Sequence, residues 1–221
     1  MDNVAGGQIG VSNGATLQLE GSGTYTNNSN IGLNSTAALT DLQLVGGGTV
    51  TLGGNGTVTL SNFANNRIDS SGTATALVIG AGQTVQGAGQ IGVGLTAISN
   101  NGTITANQSA GLTLAPNATG FTNNGTIQTT GAGLLTLSGN TFTNTSGTIL
   151  LGANTTGTVS GAAIVNGGAV TLSAGSTLNL SNGTIHGGTL TNSSTGNITA
   201  VTGTNKLGHR GQCRGRTDRG E

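Results

Sequence analysis

One short pattern in the second half of the sequence decides the fold. It reads Ile98-Ser99-Asn100-Asn101-Gly102-Thr103-Ile104 and returns as Phe121-Thr122-Asn123-Asn124-Gly125-Thr126-Ile127. Further copies begin at Phe142, Ile164 and Ile185, so the leading apolar residue returns at a nearly constant interval. A repeat of this length cannot bury its own apolar face, and only stacking of successive repeats buries it. The pattern therefore predicts a solenoid.

Each period has room for three short strands. A second apolar segment, such as Leu112-Thr113-Leu114, begins eight residues after the aliphatic residue that closes the repeated pattern, here Ile104. Apolar and polar residues alternate within these segments, which is the period of a strand, and Gly, Asn and Ser fill the turns. The sequence predicts an all-β, right-handed parallel β-helix with about 21 residues and three strands per coil, in about 9 to 10 coils.

Fifteen apolar residues are predicted to stack in three rows along the core. The rows are Ile98, Phe121, Phe142, Ile164 and Ile185; Ile104, Ile127, Ile149, Val170 and Leu190; and Leu112, Leu135, Val159, Leu178 and Ile198. Five Asn residues are predicted to stack at one corner, where their amides would hydrogen-bond along the axis. They are Asn65, Asn100, Asn123, Asn144 and Asn166, the first of them because Phe63-Ala64-Asn65-Asn66 resembles the start of a copy.

Charge and cysteine divide the chain near residue 205. All but one of the Lys and Arg residues lie at or after Lys206, together with the single cysteine, Cys213, and one of the two histidines, His209. We predict that residues 1–204 form the repeat region, regular from about residue 98 and looser before it. Residues 205–221 are predicted to be a basic, disordered or out-of-pattern tail, so the fold would use neither a disulfide nor a zinc cluster.

Composition excludes several classes of protein. More than half of the residues are Gly, Thr, Asn or Ser, which argues against a helical bundle, and collagen would need far more than one Pro. A formal charge of zero argues against nucleic-acid binding, and no apolar run is long enough for a membrane-spanning helix. Leu, Ile, Val and Phe together make up little more than a fifth of the chain, close to the disordered range, but their ordered placement favours a folded chain.

Three runs resemble the passenger regions of bacterial autotransporters. They are Gly54-Asn55-Gly56-Thr57-Val58-Thr59-Leu60, Val85-Gln86-Gly87-Ala88-Gly89-Gln90-Ile91-Gly92 and Asn124-Gly125-Thr126-Ile127. They are equally similar to filamentous-haemagglutinin-type adhesins, and the resemblance covers about residues 5–204. It implies export to the bacterial surface and a role as stalk or adhesin. Because residues 1–7 are not a signal peptide, we expect a piece of a longer exported protein.

The sequence offers little for catalysis, although some β-helices cleave polysaccharides with clustered carboxylates. Arg67 and Asp69 are the one charged pair of the repeat region that lies close in sequence, and we predict an exposed ion pair. The run from Gly87 to Gly92 has dinucleotide-type Gly spacing but no predicted helix after it. His186 is predicted to be an exposed turn residue. No catalytic, cofactor-binding or metal-binding residue and no cofactor is predicted.

The predicted function is a non-catalytic stalk or adhesin segment, extracellular or at the bacterial cell surface. Glycans or other copies of the chain are the predicted partners, without nucleic acid and without membrane insertion. The alternatives are a self-assembling biofilm-matrix solenoid, an ice-binding solenoid and a polysaccharide-active enzyme. Ice binding would need Thr-x-Thr units in register, but the coils between Thr103 and Thr189 break the row. Two of them lack the second Thr, and the third, Ala169-Val170-Thr171, lacks the first. Asn-x-Ser/Thr triplets, such as those at Asn34, Asn55, Asn101, Asn124, Asn144, Asn182 and Asn197, are predicted to serve turn formation.

Overall fold

The protein is a β-solenoid in which three parallel sheets run along the axis. The computed structural model describes residues 2–71 and 75–208, which form 28 short strands and no helix. Consecutive strands go to sheets A, B and C in turn, so each strand pairs with its counterpart one coil away. The described residues make nine coils and the first strand of a tenth, with about 22 residues per coil. The predicted parallel solenoid is confirmed.

The strands of each sheet are as follows, in order along the axis. Sheet A contains β1 (Asp2–Asn3), β4 (Gly23–Asn27), β7 (Gly48–Gly53), β10 (Thr75–Ile79), β13 (Ala97–Asn100), β16 (Phe121–Asn123), β19 (Thr141–Asn144), β22 (Ala163–Asn166), β25 (Thr184–His186) and β28 (Lys206–Gly208). Sheet B contains β2 (Gln8–Ser12), β5 (Asn30–Asn34), β8 (Thr57–Leu60), β11 (Thr84–Gly87), β14 (Thr103–Ala106), β17 (Thr126–Thr129), β20 (Thr148–Leu151), β23 (Ala169–Leu172) and β26 (Thr189–Asn192). Sheet C contains β3 (Thr16–Glu20), β6 (Thr40–Val45), β9 (Asn66–Ser70), β12 (Gly89–Ile91), β15 (Leu112–Leu114), β18 (Leu134–Ser138), β21 (Thr156–Ser160), β24 (Thr177–Ser181) and β27 (Asn197–Thr202).

Alternating side chains build one apolar core along the whole axis. In strands such as Thr57–Leu60, the aliphatic residues are buried and the Thr residues face outward. The rings of Phe121 and Phe142, which occupy neighbouring coils of sheet A, stack with their centroids 5.2 Å apart. Thirteen of the fifteen predicted core residues are buried. Leu190 and Ile198 are half-buried, because no further strand of sheet B or C covers β26 and β27 within the described residues.

One predicted core residue is buried but belongs to another row. Val159 is buried, but it pairs with Leu137 and Leu180 rather than joining the row of Leu135 and Leu178. Gly157 occupies that row instead. The prediction failed because the apolar residue of β21 lies two positions further along its strand, which preserves the inward face but changes the row.

Gly157 leaves a gap in the core that another side chain fills in part. Gly157 lies beside the side chain of Leu151, and a cavity of about 10 Å³ remains among Leu135, Leu151 and Val159. A Cβ added at Gly157 would meet the far end of the Leu151 side chain at 2.7 Å, and the cavity gives that end room to move. The lining is apolar, so the cavity offers a water molecule no partners.

Replacing Gly157 with Ala is expected to stabilise the protein by about 0.5 kcal/mol, because Ala reduces the conformational freedom of the unfolded chain. Gly133→Ala is the matched control. Its Cβ would overlap the Ala106 carbonyl oxygen, so it is expected to destabilise by about 2 kcal/mol. Thermal unfolding of both variants measures the difference. A lower melting temperature for Gly157→Ala would show that Leu151 cannot move into the cavity.

The second and third coils are longer than those that follow. Val58 and Val85 are equivalent residues of sheet B although they are 27 positions apart, whereas Ile104 follows Val85 by only 19. The short coil is possible because the B–C corner after β11 is made by Gly87. Its φ is +125°, and a Cβ there would overlap the Leu60 carbonyl oxygen.

The repeat region extends beyond its predicted end. Residues 206–208, assigned to the tail by composition, form β28 and pair with β25, with Leu207 opposite Ile185. The change to basic composition hid this strand, because Lys206-Leu207-Gly208 still alternates polar, apolar and small residues. The rest of the predicted tail, including His209 and Cys213, lies outside the described residues.

Candidate functional site

A ladder of buried Asn side chains runs along the corner between sheets A and B. Asn100 Nδ2 donates to Asn123 Oδ1 at 2.8 Å, Asn123 donates to Asn144 at 2.7 Å, and Asn144 donates to Asn166 at 2.8 Å. Each of these amides also donates to the carbonyl oxygen of the first residue of the sheet B strand one coil further on, for example Asn123 to Thr148 at 3.3 Å. All four Asn residues are at most 1% exposed. The ladder therefore satisfies turn carbonyls that stacking removes from water.

Asn65 does not belong to the ladder. It lies at the B–C corner, where its side chain donates to the Ala37 carbonyl oxygen, and Phe63 is 42% exposed rather than part of the core. The pattern that begins at Phe63 leads into β9 of sheet C, whereas the other copies lead from a strand of sheet A into one of sheet B. The residues around Asn65 match the repeated pattern, but they connect different strands.

The sequence patterns missed the first part of the ladder. Asn3 Nδ2 donates to Asn27 Oδ1 at 2.8 Å, and Asn27 Nδ2 donates to Gln83 Oε1 at 3.1 Å, two coils away. Gln83 Nε2 returns a bond of 2.6 Å to the Asn27 carbonyl oxygen. The longer Gln side chain spans the intervening coil, which has Gly56 at this corner. The sequence did contain one signal for Asn27. It precedes Ile31 by four positions, just as Asn100 precedes Ile104 by four.

The outer face of sheet C carries the one cluster of charges among the described residues. Asp41 and Arg67 are opposite each other on β6 and β9, and the guanidinium makes two bonds of 2.9 Å to the Asp41 carboxylate. Asp69 Oδ2 lies 3.9 Å from Arg67 Nε. Arg67 and Asp69 do lie together, but the predicted exposure of the pair is wrong, because the Asp69 side chain is only 4% exposed. A third charge, Asp41 of the preceding coil, joins them, which proximity in sequence could not reveal.

The carboxyl group of Asp69 is buried and only partly satisfied by partners. It is 3% exposed, and its Oδ1 has no hydrogen-bond partner. Burial raises the pKa of the Asp69 carboxyl group, the Arg67 charge partly opposes this, and the Asp41 charge adds to it. Because the folded pKa exceeds the unfolded one, Asp69 costs stability above the folded pKa. That cost falls as the pH decreases and vanishes below the unfolded pKa of about 3.9.

Asp69→Asn is therefore expected to stabilise the protein at pH 7, by about 1 kcal/mol, because the amide removes a charge that burial disfavours. The gain should shrink as the pH falls through the Asp69 pKa. Chemical denaturation at several pH values measures it. Asp41→Asn serves as the control, since it breaks the paired bonds to Arg67 and should destabilise at pH 7. An Asp69→Asn gain that is equal at pH 3 and pH 7 would contradict the assigned cause.

The charged cluster is poorly suited to acid–base catalysis. The side chains of Asp41 and Asp69 are 9% and 4% exposed, and Arg67 already occupies both oxygens of Asp41. A glycoside-cleaving pair needs two carboxyl groups that both reach the substrate. These carboxylates instead hold the guanidinium on the sheet, where two of its five N–H donors bond to Asp41.

The outer face of sheet B carries a row of hydroxyl groups. Five Thr residues from consecutive coils are in register along its first outward position: Thr57, Thr84, Thr103, Thr126 and Thr148. The second outward position is mixed, because Gln86, Gln128 and Leu150 interrupt the Thr residues there. The Thr residues at the first outward position thus form a more regular row than the Thr-x-Thr units of the sequence indicated. The row at the second outward position is interrupted, as those units predicted.

The remaining sequence motifs lie at corners or on outer faces. Gly87 to Gly92 forms a corner and the strand β12, with no helix, and His186 is half-buried at the end of β25. Of the Asn residues in the seven quoted triplets, all are exposed except Asn144, which belongs to the ladder. In residues 2–71 and 75–208, no three His, Cys, Asp or Glu side chains are grouped to hold a metal. The described part of the chain contains no helix able to cross a membrane.

Comparison of the chain with protein-family models, with curated proteins and with solved structures gives no match.

Proposed function

We propose that the chain is a non-catalytic stalk segment of a bacterial cell-surface protein, which holds a binding part away from the cell. The uninterrupted stacking of nine coils carries this proposal. Every coil pairs with its neighbours through three parallel sheets, and the buried core rows run from the first coil to the ninth. Such a solenoid extends by about 4.8 Å per coil, so the described coils span about 45 Å.

The outer surface supports a passive role. Outside the cluster of Asp41, Arg67 and Asp69, the faces of the sheets present mainly Thr, Ser, Asn, Gln and Ala. These side chains are neutral at every pH that a surface encounters, so the rod resists electrostatic attraction to unrelated molecules. A stalk needs length and inertness, and the repeat provides both.

Deletion of whole coils tests the stalk. Thr103, Thr126 and Thr148 occupy equivalent positions, so deleting residues 103–147 removes two coils and joins Gly102 to Thr148 with the register intact. The rod would be displayed with an outer-membrane anchor at one end and a dye-labelled epitope at the other. Energy transfer from the epitope to a membrane dye is expected to rise on deletion, because the epitope moves about 10 Å closer.

Deletion of residues 103–125, a single coil, is the control and should give an intermediate transfer. If transfer is high in all three proteins, the rod lies along the membrane and the stalk proposal is wrong. Circular dichroism of each purified rod separates this outcome from misfolding.

Ice binding is a second candidate, favoured by the row of Thr57, Thr84, Thr103, Thr126 and Thr148 on sheet B. Hydroxyl groups about 4.8 Å apart along a flat sheet can order water. Ice crystals grown with the protein are expected to develop facets if this face binds ice, and Thr126→Lys in the middle of the row should abolish them. Round crystals with the unmodified protein would exclude this function.

A further inference from the structure

Two large apolar side chains are exposed at one corner of the described rod, close in the fold to charged and amide groups. Two loops at the B–C corner, residues 35–39 and 61–65, belong to neighbouring coils. Leu39 is 48% exposed and Phe63 is 42% exposed, and Ala37, Ala38 and Ala64 lie exposed beside them. The chain has four aromatic residues, and Phe63 is the one whose ring is presented to solvent.

Buried polar groups hold the Phe63 loop rigidly. Asn66, which is fully buried, donates through Nδ2 to the carbonyl oxygens of Phe63 at 2.9 Å and Ser61 at 3.0 Å. Its Oδ1 accepts the Ser35 N–H at 3.0 Å, which ties the loop to the one in the previous coil. Ser61 Oγ adds a bond of 2.7 Å to the Ser35 carbonyl oxygen. The backbone that presents the exposed ring is therefore held in place before any ligand arrives.

The Leu39 loop is held in a comparable way. Asn13 Oδ1 accepts three consecutive backbone N–H groups, from Thr36, Ala37 and Ala38, at 2.8, 3.1 and 2.9 Å. Ser35 Oγ donates to the Ala38 carbonyl oxygen at 2.7 Å. Two side chains, those of Asn13 and Ser35, thus hold the backbone of this loop.

Hydrogen-bonding side chains lie on the strands of sheet C next to the Phe63 loop. Gln90 Nε2 donates to the Ala64 carbonyl oxygen at 3.4 Å, next to Phe63, and Gln90 is the register neighbour of Arg67. Asp41 orients Arg67 with two bonds, which leaves three of its five N–H donors for another molecule. An apolar platform thus adjoins an amide and a preorganised guanidinium on the outer face of sheet C.

We propose that this corner binds a neutral hexopyranose oligosaccharide, with one sugar ring on Phe63 and its hydroxyl groups hydrogen-bonded to Gln90 and Arg67. A pyranose ring has an apolar face and a hydroxyl-rich edge, which match the two halves of the site. The cluster of Asp41, Arg67 and Asp69 has no excess positive charge, so an acidic polysaccharide is disfavoured. The apolar tips comprise two large side chains, whereas a stable protein interface uses about 20 to 30 residues a side.

Binding is tested by nuclear magnetic resonance titration of the full chain with cellohexaose, chitohexaose, laminarihexaose and heparin hexasaccharide. One of the three neutral sugars is expected to shift the signals of Phe63, Ala64 and Gln90, with a Kd in the millimolar range. Phe63→Ala should weaken that binding about tenfold or more, and Phe63→Trp should retain it. Leu134→Ala, which removes another exposed apolar residue in coil 6, is the matched control and should bind as the unmodified chain does.

Two results would overturn the proposal. One is no shift at these residues with any neutral sugar up to about 10 mM, the range in which a weak site saturates. The other is equal binding by Phe63→Ala and the unmodified chain. If heparin alone shifts these signals, the corner is an anion site and not a site for neutral sugars. The site does not depend on the stalk proposal, because it lies on the side of the rod and its failure leaves the coil-deletion measurement unaffected.

Discussion

Ile127→Asp is expected to unfold the middle of the solenoid. Ile127 is fully buried between Ile104 and Ile149 of the neighbouring coils. The substitution removes a large aliphatic side chain from the core and places a carboxyl group where nothing can hydrogen-bond to it. We expect a loss of about 6 kcal/mol or more in the free energy of unfolding, from the cavity and the desolvated acid together.

The neighbouring Thr126 provides the control, since its side chain belongs to the outward row of sheet B. Thr126→Asp should change stability by less than about 1 kcal/mol. Thermal unfolding followed by circular dichroism compares the two variants. Leu135→Asp in sheet C should behave as Ile127→Asp does, because Leu135 is 2% exposed. An unchanged melting temperature for either inward variant would mean that the assigned inward face is wrong.

Asn123→Leu is expected to have the next largest effect, a loss of about 3 kcal/mol, because each buried acceptor left unsatisfied costs about 1 to 3 kcal/mol. Asn123 receives a bond from Asn100 and donates to Asn144 and to the Thr148 carbonyl oxygen. Leu fills a similar volume but leaves Asn144 Oδ1 and the Thr148 carbonyl oxygen without that donor.

The adjacent residue again supplies the comparison. Asn124 is exposed, and its amide donates to Asn101 at 3.1 Å on the surface. Asn124→Leu should therefore change stability by less than about 0.5 kcal/mol. Hydrogen exchange of the backbone amides in β17 and β20 locates the effect along the axis. Equal stability of the Asn123 and Asn124 variants would show that the ladder contributes nothing beyond turn formation.

The architecture was predictable because the repeat leaves its period in the sequence. A nearly constant spacing and the alternation within strands were enough to place Ile98, Phe121, Phe142 and their equivalents in one row. The first half was harder, since corners of different length change the spacing, and there Asn65 was assigned wrongly and Asn27 was missed. The row predicted for Val159 was also wrong, because alternation alone does not distinguish the two inward positions of one strand.

The polar features of the surface could not be predicted in the same way. Asp41 meets Arg67 only because β6 and β9 pair in a particular register, and the distance along the chain gives no hint of that. Phe63 has the place of a core residue in the repeated pattern, but it lies at a corner and its side chain is exposed. Such groupings depend on which residues meet across coils, and where the spacing is irregular a single sequence does not show that register.

The winding of the chain gives this rod a distinct response to force. Each coil adds about 4.8 Å to the folded rod, whereas about 22 residues pulled straight span about 75 Å. A pull on the two ends acts across the sheet ladders, so a terminal coil peels off while the others remain stacked. The molecule would then lengthen in steps of about 70 Å. Each step absorbs work, so the rod would extend under load before any covalent bond breaks.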